Sequence, residues 1–243
     1  MKKLLMVLLT VLATPALGQG FIASLDDDDF QLLFNRPAIV KLVSGDSLSG
    51  KMVGGTIING YLSTIKFKTD SGETAKFKPE DVERLAIKPG KMAKYAMMSE
   101  SATSLQEMSK ANFDEISNRE YIIFETARRS TKKGTPRLMQ LLNPGFDGGI
   151  KVFADPNAKK TMGLSIGGAK LLGGEDKSFL FVQGGEKAVV VKKGSYKENF
   201  AELYEKCPAM LEEFKGEKLK WVDVAGHVWV YDRICGSGPG AAG

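Results

Sequence analysis

The chain is poor in the residues that most metal and catalytic sites need. Its 243 residues include 1 His and 2 Cys, which excludes a zinc ribbon and a scaffold held by several disulfides. No known catalytic motif is present, so the sequence predicts no catalytic residue, no metal site and no cofactor. The hydrophobic fraction of 43% is ordinary for a globular core, and 27 Gly with 9 Pro favour a turn-rich β structure.

Long apolar stretches are also missing, apart from one at the N-terminus. The chain opens with Lys2 and Lys3, continues as an apolar run from Leu4 to Ala13, and then reaches Ala16-Leu17-Gly18. This layout is typical of a secretory signal peptide covering residues 1–18. The run is shorter than the roughly 20 residues needed to cross a bilayer. We therefore expect a secreted or periplasmic protein without a transmembrane span.

The charge balance is nearly even, which argues against a nucleic-acid partner. The formal net charge is +5, and removing the two leader lysines would leave +3. An exported chain would also be separated from the cell's ATP, NAD and RNA. Four adjacent carboxylates, Asp26 to Asp29, lack the alternating spacing of a calcium loop. We interpret residues 19–36 as an acidic spacer, in which the acidic run is either solvated or marks the N-terminus of a helix.

Residues 37–90 show a rapid succession of short strands and polar turns. The segment Tyr61–Thr69 alternates apolar and polar residues, and Pro79-Glu80-Asp81 has the composition of one helical turn. We expect Gly54-Gly55 to end the second strand. The pattern predicts a small closed β-barrel of the SH3 or Sm type. The five predicted strands are 39–43, 47–53, 61–69, 74–78 and 82–87.

Part of this region resembles the Sm-like family. The resemblance covers residues 37–88 and follows the pattern Val40-x-Leu42-x-x-Gly45-x-x-Leu48-x-Gly50, with Ile58-Asn59-x-x-Leu62 echoing an RNA-contacting segment. The Asp expected before that Asn is absent, as is the basic-Gly pair of the second Sm motif. The resemblance therefore implies the barrel shape and does not imply RNA binding.

The remainder predicts a second unit, and the fold class as a whole is α+β, mainly β. A connector with one helix, 91–118, precedes a β-sheet unit with C-terminal helices, 119–235, and a loose tail, 236–243. In the second unit we expect a hairpin from Ser178–Val182 and Ala188–Val191. A Ser195–Glu198 capping box would open the first C-terminal helix, and a helical stripe ends at Cys235. Alternation of Val222, Val224, Val228 and Val230 leaves a strand as the alternative for this last stripe, and we favour the helix. The prediction is thus a small SH3/Sm-like barrel followed by this sheet unit.

The two cysteines and the single histidine are the obvious candidates for chemistry. Cys207 and Cys235 form an even pair in a chain with an export signal, which predicts a disulfide. Their spacing argues against a redox-active pair, which usually has the Cys-x-x-Cys motif. On a helix His227 would lie one turn after Asp223. No nucleophile motif accompanies them, so we interpret His227 as structural.

A basic cluster occupies one hairpin-like loop of the second unit. It consists of Arg128, Arg129, Lys132, Lys133 and Arg137. Such a cluster suits an anionic polymer, lipid headgroups or an acidic envelope protein. The alternative is a solvated loop that protects a sheet edge from aggregation.

Several separate motifs resemble an uncharacterised family of exported bacterial proteins. They include Leu141-Leu142-Asn143-Pro144-Gly145-Phe146, Lys151-Val152-Phe153-x-Asp155-Pro156 and Tyr204-x-x-Cys207. The resemblance implies export and transfers no activity. The sequence thus leaves two functions: a non-catalytic binding or envelope-associated protein of unknown ligand, or a carboxylate-based hydrolase such as a glycosidase. A cleft holding two carboxyls with perturbed protonation would favour the hydrolase.

Export makes a direct prediction about the N-terminus. Mass spectrometry of protein recovered outside the cytoplasm should find a chain that begins at or near Gln19, because small residues precede that position. Recovery of only the intact chain, confined to the cytosol, would contradict the prediction.

Overall fold

The computed structural model describes residues 20–25, 29–101, 120–128, 135–158, 164–166, 169–172, 176–185 and 187–236. The predicted leader, the first three residues of the acidic run and the tail from 237 onward lie outside them. The strands are β1 Arg36–Leu42, β2 Ser47–Ile58, β3 Tyr61–Thr69, β4 Thr74–Phe77, β5 Val82–Ile87, β6 Ile122–Arg128, β7 Pro136–Gln140, β8 Ile150–Ala154, β9 Leu164–Ile166, β10 Ala169–Leu172, β11 Ser178–Gln183 and β12 Val189–Lys192. The α-helices are α1 Lys91–Ser101, α2 Tyr196–Leu203, α3 Pro208–Glu213 and α4 Val224–Cys235, and 3-10 helices cover Asp29–Leu33, Pro79–Asp81, Lys193–Ser195 and Trp221–Asp223.

The predicted fold class is confirmed: the chain is α+β, mainly β, with a closed six-stranded barrel and C-terminal helices. The barrel strands follow the ring order β2-β1-β5-β6-β7-β3, and β3 pairs again with β2. The short strand β4 pairs with the other half of β3. Because β6 and β7 follow α1 in the chain, the barrel is not confined to residues 37–90. Long-range pairing such as Leu85↔Phe124 and Leu62↔Leu138 closes it.

The segment before β1 belongs to the barrel core. Ile22, Leu25, Phe30 and Leu33 are buried against the inward side chains of the barrel. The Ile22 amide donates a 2.8 Å hydrogen bond to the Leu142 carbonyl oxygen. The described part of residues 19–36 is therefore not the solvated spacer expected from its acidic run, because its apolar residues cover one opening of the barrel.

The hairpin of β6 and β7 is buried on both faces. On one face Phe124 and Leu138 point into the barrel core. On the other face Met139 packs in a second cluster that includes Phe153 and Leu180. The latter two come from the three-stranded sheet with the order β12-β11-β8. The hairpin is thus a wall shared by the barrel and this sheet.

The C-terminal helices cover the far side of the three-stranded sheet. Val152 and Phe181 of the sheet pack with Phe200 of α2 and Val228 of α4. The predicted disulfide is confirmed between Cys207 and Cys235, whose Cα atoms are 5.9 Å apart. It joins the start of α3 to the end of α4 and contributes on the order of 3 kcal/mol in the chain-entropy account. Among the described residues, no helix has the length and apolarity to cross a bilayer.

Two local expectations from the sequence are wrong. Gly54-Gly55 does not end the second strand, since β2 continues to Ile58. A Cβ on Gly55 would lie 3.0 Å from the Thr64 carbonyl oxygen, so glycine permits a close approach to β3 within the strand. The Ser195 side chain makes no capping hydrogen bond, because a 3-10 helix runs directly into α2 and replaces the extended cap.

Strands β2 and β3 approach each other closely at Gly50, so a side chain at this position would disturb the pairing. A Cβ there would overlap the Lys68 carbonyl oxygen and lie 2.8 Å from the Thr69 Cα. We expect Gly50→Ala to lower the free energy of unfolding by about 2 kcal/mol or more, as measured by urea denaturation. Gly226→Ala is the matched control, because a Cβ on that helical residue meets no neighbour within 4 Å. It should raise stability by about 0.5–1 kcal/mol, and equal stabilities for the two variants would contradict the account.

Candidate functional site

A cleft of about 350 Å³ lies where the barrel meets the three-stranded sheet. Its volume is in the range of small-molecule binding sites. The N-terminal segment, the β2–β3 turn, the shared hairpin and the turn after β8 all contribute to its lining. The lining residues are Ser24, Leu25, Phe30, Gly60, Tyr61, Phe124, Leu138, Met139, Gln140, Ala154, Asp155, Pro156, Ala158 and Asp176.

One wall of the cleft depends on the two-residue turn between β2 and β3. Asn59 and Gly60 have φ values of 53° and 74°, as the central residues of a type I′ hairpin turn require. A Cβ on Gly60 would overlap Pro156. The turn can therefore pack directly against the Asp155–Asn157 turn that follows β8. Barrel and sheet thus meet at this point with almost no space between them.

A buried amide fixes the opposite wall. Gln140 is 5% exposed, at the end of β7. Its Oε1 accepts a 2.9 Å hydrogen bond from the Leu25 amide, and its Nε2 donates one of 3.0 Å to the Ala23 carbonyl oxygen. These two hydrogen bonds hold the backbone of residues 23–25, which is not part of a strand. Gln140 positions the N-terminal segment rather than presenting its amide to the cleft.

Two carboxylates line the cleft, and serine hydroxyls hold both of them. Asp155 Oδ2 accepts a 2.8 Å hydrogen bond from Ser178, and its Oδ1 accepts one of 3.1 Å from the Asn157 amide. Asp176 Oδ2 accepts a 3.2 Å hydrogen bond from Ser24. Fixed acceptors next to apolar side chains such as Leu25 and Met139 suit a ligand that has an apolar part and a hydrogen-bond donor or a positive charge.

A second acidic group lies at the joint but outside the cleft lining. Glu125, which is 8% exposed, has its Oε1 2.9 Å from Arg84 Nε and its Oε2 2.6 Å from Lys151 Nζ. The Arg84 Nε is not aligned for a hydrogen bond despite that distance. Burial raises the pKa of Asp147, while the charges of Lys151 and Arg84 oppose that shift. Each acid has a cation nearby, as in a structural ion network.

His227 lies in the aromatic core beneath α2, as the structural interpretation expected. It is 4% exposed, and its Nδ1 lies 2.7 Å from the Tyr196 hydroxyl, which in turn lies 3.0 Å from that of Tyr204. Burial lowers the pKa of His227 to about 4, although the charge of Asp223 acts in the opposite direction. The ring of Phe214 packs edge-on against the imidazole at 4.6 Å. This setting keeps the imidazole neutral and within the core.

The other predicted site residues divide into described and undescribed positions. Both cysteines are engaged in the disulfide. The β6–β7 hairpin brings Arg128 opposite Pro136, and the Arg137 guanidinium lies 5.5 Å from the Tyr61 ring centroid. Arg129, Lys132 and Lys133 lie outside the described residues. Contact of this cluster with an anionic partner stays a prediction.

Comparison of the chain with protein-family models, curated proteins and solved structures found no match. The resemblance to an exported family therefore stays a prediction. Sequence reasoning did not identify the cleft, because its lining comes from segments as distant as Leu25 and Asp176. One signal was available: the apolar residues Phe21, Ile22 and Leu25 follow the predicted cleavage site directly and are unusual for a spacer.

The buried imidazole predicts a specific loss of stability in acid. His227 has an ordinary pKa of 6.5 and a folded pKa of about 4, so between these values the unfolded chain binds the proton more readily. Lowering the pH through this interval should reduce the free energy of unfolding by up to about 3 kcal/mol, as measured by urea denaturation at each pH. His227→Asn retains a polar group near the Nδ1 position and removes the titration. An identical pH slope in both proteins would show that His227 is not responsible.

Proposed function

We propose that the protein is an exported, non-catalytic binding protein whose ligand occupies the cleft between barrel and sheet. The observation that carries the proposal is the cleft itself, with a volume of about 350 Å³ and a lining that combines apolar side chains with two carboxylates. Asp155 and Asp176 provide acceptors that Ser178 and Ser24 hold in place. A concavity that presents preorganised polar groups beside apolar side chains can hold a small molecule.

Two features support the export part of the proposal. The first 18 residues have the layout of a cleaved leader. The Cys207–Cys235 disulfide is of the kind that persists in oxidising compartments outside the cytoplasm.

The placement of the titratable groups favours binding over hydrolysis. A glycosidase needs one carboxyl kept protonated as an acid and a second kept ionised, both facing the substrate. The acid whose pKa burial raises, Asp147, is 3.6 Å from Arg84 and does not line the cleft. Within the described residues, His227 and both cysteines are engaged in the core beneath the sheet. The cleft does hold a carboxylate pair, Asp155 and Asp176, but serine hydroxyls hold both of them as hydrogen-bond acceptors, which favours binding.

Filling the cleft should abolish binding without unfolding the protein. Ala158 lines the cleft beside the Asp155–Asn157 turn, so Ala158→Trp should exclude a small ligand. We expect the cationic aromatic dye thioflavin T to bind the unaltered chain and its dissociation constant to rise by about tenfold or more in this variant. Fluorescence titration measures both constants.

Ala209→Trp is the matched control, because Ala209 is exposed on α3 and away from the cleft. Equal dye affinity in the two tryptophan variants would exclude the cleft as the site. Turnover of aryl glycosides that disappears in Asp155→Asn would instead establish the hydrolase.

A further inference from the structure

The outer face of the barrel carries an array of lysines. Strand alternation buries Met52, Ile65 and Phe67 and directs the intervening side chains outward. Four exposed lysines lie on adjacent strands and are called the lysine face below: Lys51 of β2, Lys66 and Lys68 of β3, and Lys76 of β4.

The strand register sets these charges against one another. Lys51 is the direct cross-strand partner of Lys68, and Lys66 is that of Lys76. Like charges directly opposite each other on a sheet destabilise it. Both pairs therefore work against the stability of the barrel, so a role outside folding is the simplest account of their presence.

Strands β2, β3 and β4 contain no acidic residue, and Asp70 follows directly after the end of β3, two residues beyond Lys68. The outward residues next to the lysines are Gly54, Thr64 and Thr74. In the part of the chain that the structure describes, none of the four lysines forms an ion pair. Lysines at the border of the face differ, since Lys41 pairs with Glu83 at 2.7 Å and Lys78 with Glu80 at 4.0 Å.

Protection of a sheet edge does not explain the array. Edge lysines prevent strands of different molecules from pairing, but only β4 ends the strand order on this side. Strand β2 pairs with β1 and β3, and β3 pairs with β2 on one side and with β4 and β7 on the other. Lys51, Lys66 and Lys68 therefore lie on strands that already have partners.

We propose that the lysine face binds the surface of an anionic membrane through lipid phosphate headgroups. Its charges spread in two dimensions, about 5 Å apart between strands and about 7 Å along a strand, which suits a planar array of anions better than a single thread. Ammonium groups on flexible stems contact phosphates as point charges, without the fork of arginine. No aromatic side chain lies among the outward residues named above to stack on a base, which disfavours a nucleic acid. The face is separate from the cleft and does not depend on its ligand.

Vesicle binding tests the proposal with the full chain. The fraction of protein that sediments with mixed phosphatidylglycerol and phosphatidylcholine vesicles is compared with the fraction that sediments with phosphatidylcholine vesicles alone. Any insertion of the apolar N-terminal run contributes to both fractions and therefore does not affect their ratio. Each lysine should contribute about fivefold to the anionic preference at moderate salt, and raised salt should weaken it. The test variant combines Lys51→Gln, Lys66→Gln, Lys68→Gln and Lys76→Gln. The control variant, with the same charge change on the second unit, combines Lys192→Gln, Lys197→Gln, Lys218→Gln and Lys220→Gln.

The proposal is supported if the test variant loses the anionic preference and the control keeps most of it. The test variant should also melt at a higher temperature, because its opposed charges are gone, which shows that lost binding is not lost folding. Equal losses in both variants would overturn the proposal in favour of net charge alone. Binding to soluble long-chain polyphosphate without binding to anionic vesicles would overturn it in favour of a linear polymer.

Discussion

The whole architecture depends on one hairpin that belongs to two cores at once. Strands β6 and β7 place Phe124 and Leu138 inside the barrel and Met139 against the three-stranded sheet. Without this wall the barrel would have two open edges, at β5 and β3, and the sheet would expose the face that carries Leu180. The cleft lies beside the hairpin, since Phe124, Leu138 and Met139 of its strands line it. Its position is thus a geometric result of joining two layers through one shared wall.

The joint between barrel and sheet also explains the motifs that carry the resemblance to an exported family. Asn143 is fully buried, and its Nδ2 donates to the Phe146 and Ile150 carbonyl oxygens at 2.8 and 2.7 Å. Its Oδ1 accepts the Val152 amide at 2.8 Å. One side chain thereby replaces three backbone partners in the bend that leads from β7 to β8. The next motif supplies Asp155, which holds Ser178 of β11. These motifs have structural roles, so they are specific in sequence without indicating a reaction.

Alternation and turn residues in the sequence predicted individual strands and turns well, but they did not predict which distant strands pair. Alternation placed β3 at Tyr61–Thr69, and Pro79 with two following acids placed a 3-10 turn, both as the structure has them. The sequence pattern predicted that β2 ends at Gly54. A pattern cannot distinguish a glycine that ends a strand from one that lets two paired strands approach closely. The periodicity of the sequence did not predict that β6 and β7, which follow α1, pair with β5 and β3. Nor did the cleft, since the Gln140 contact with Leu25 joins residues 115 positions apart.

The late position of the shared hairpin in the chain has a consequence for biosynthesis. A polypeptide that emerges from its N-terminus presents β1 to β5 long before Gln140, yet those strands cannot form a closed ring. During that interval two strand edges are unpaired and the apolar lining around Leu85 is accessible to water, which is the type of surface that associates with other chains. The ring can close only when the hairpin has emerged and the segment near Ile22 can dock on Leu142. A chain interrupted before β7 would keep the edges of β5 and β3 unpaired.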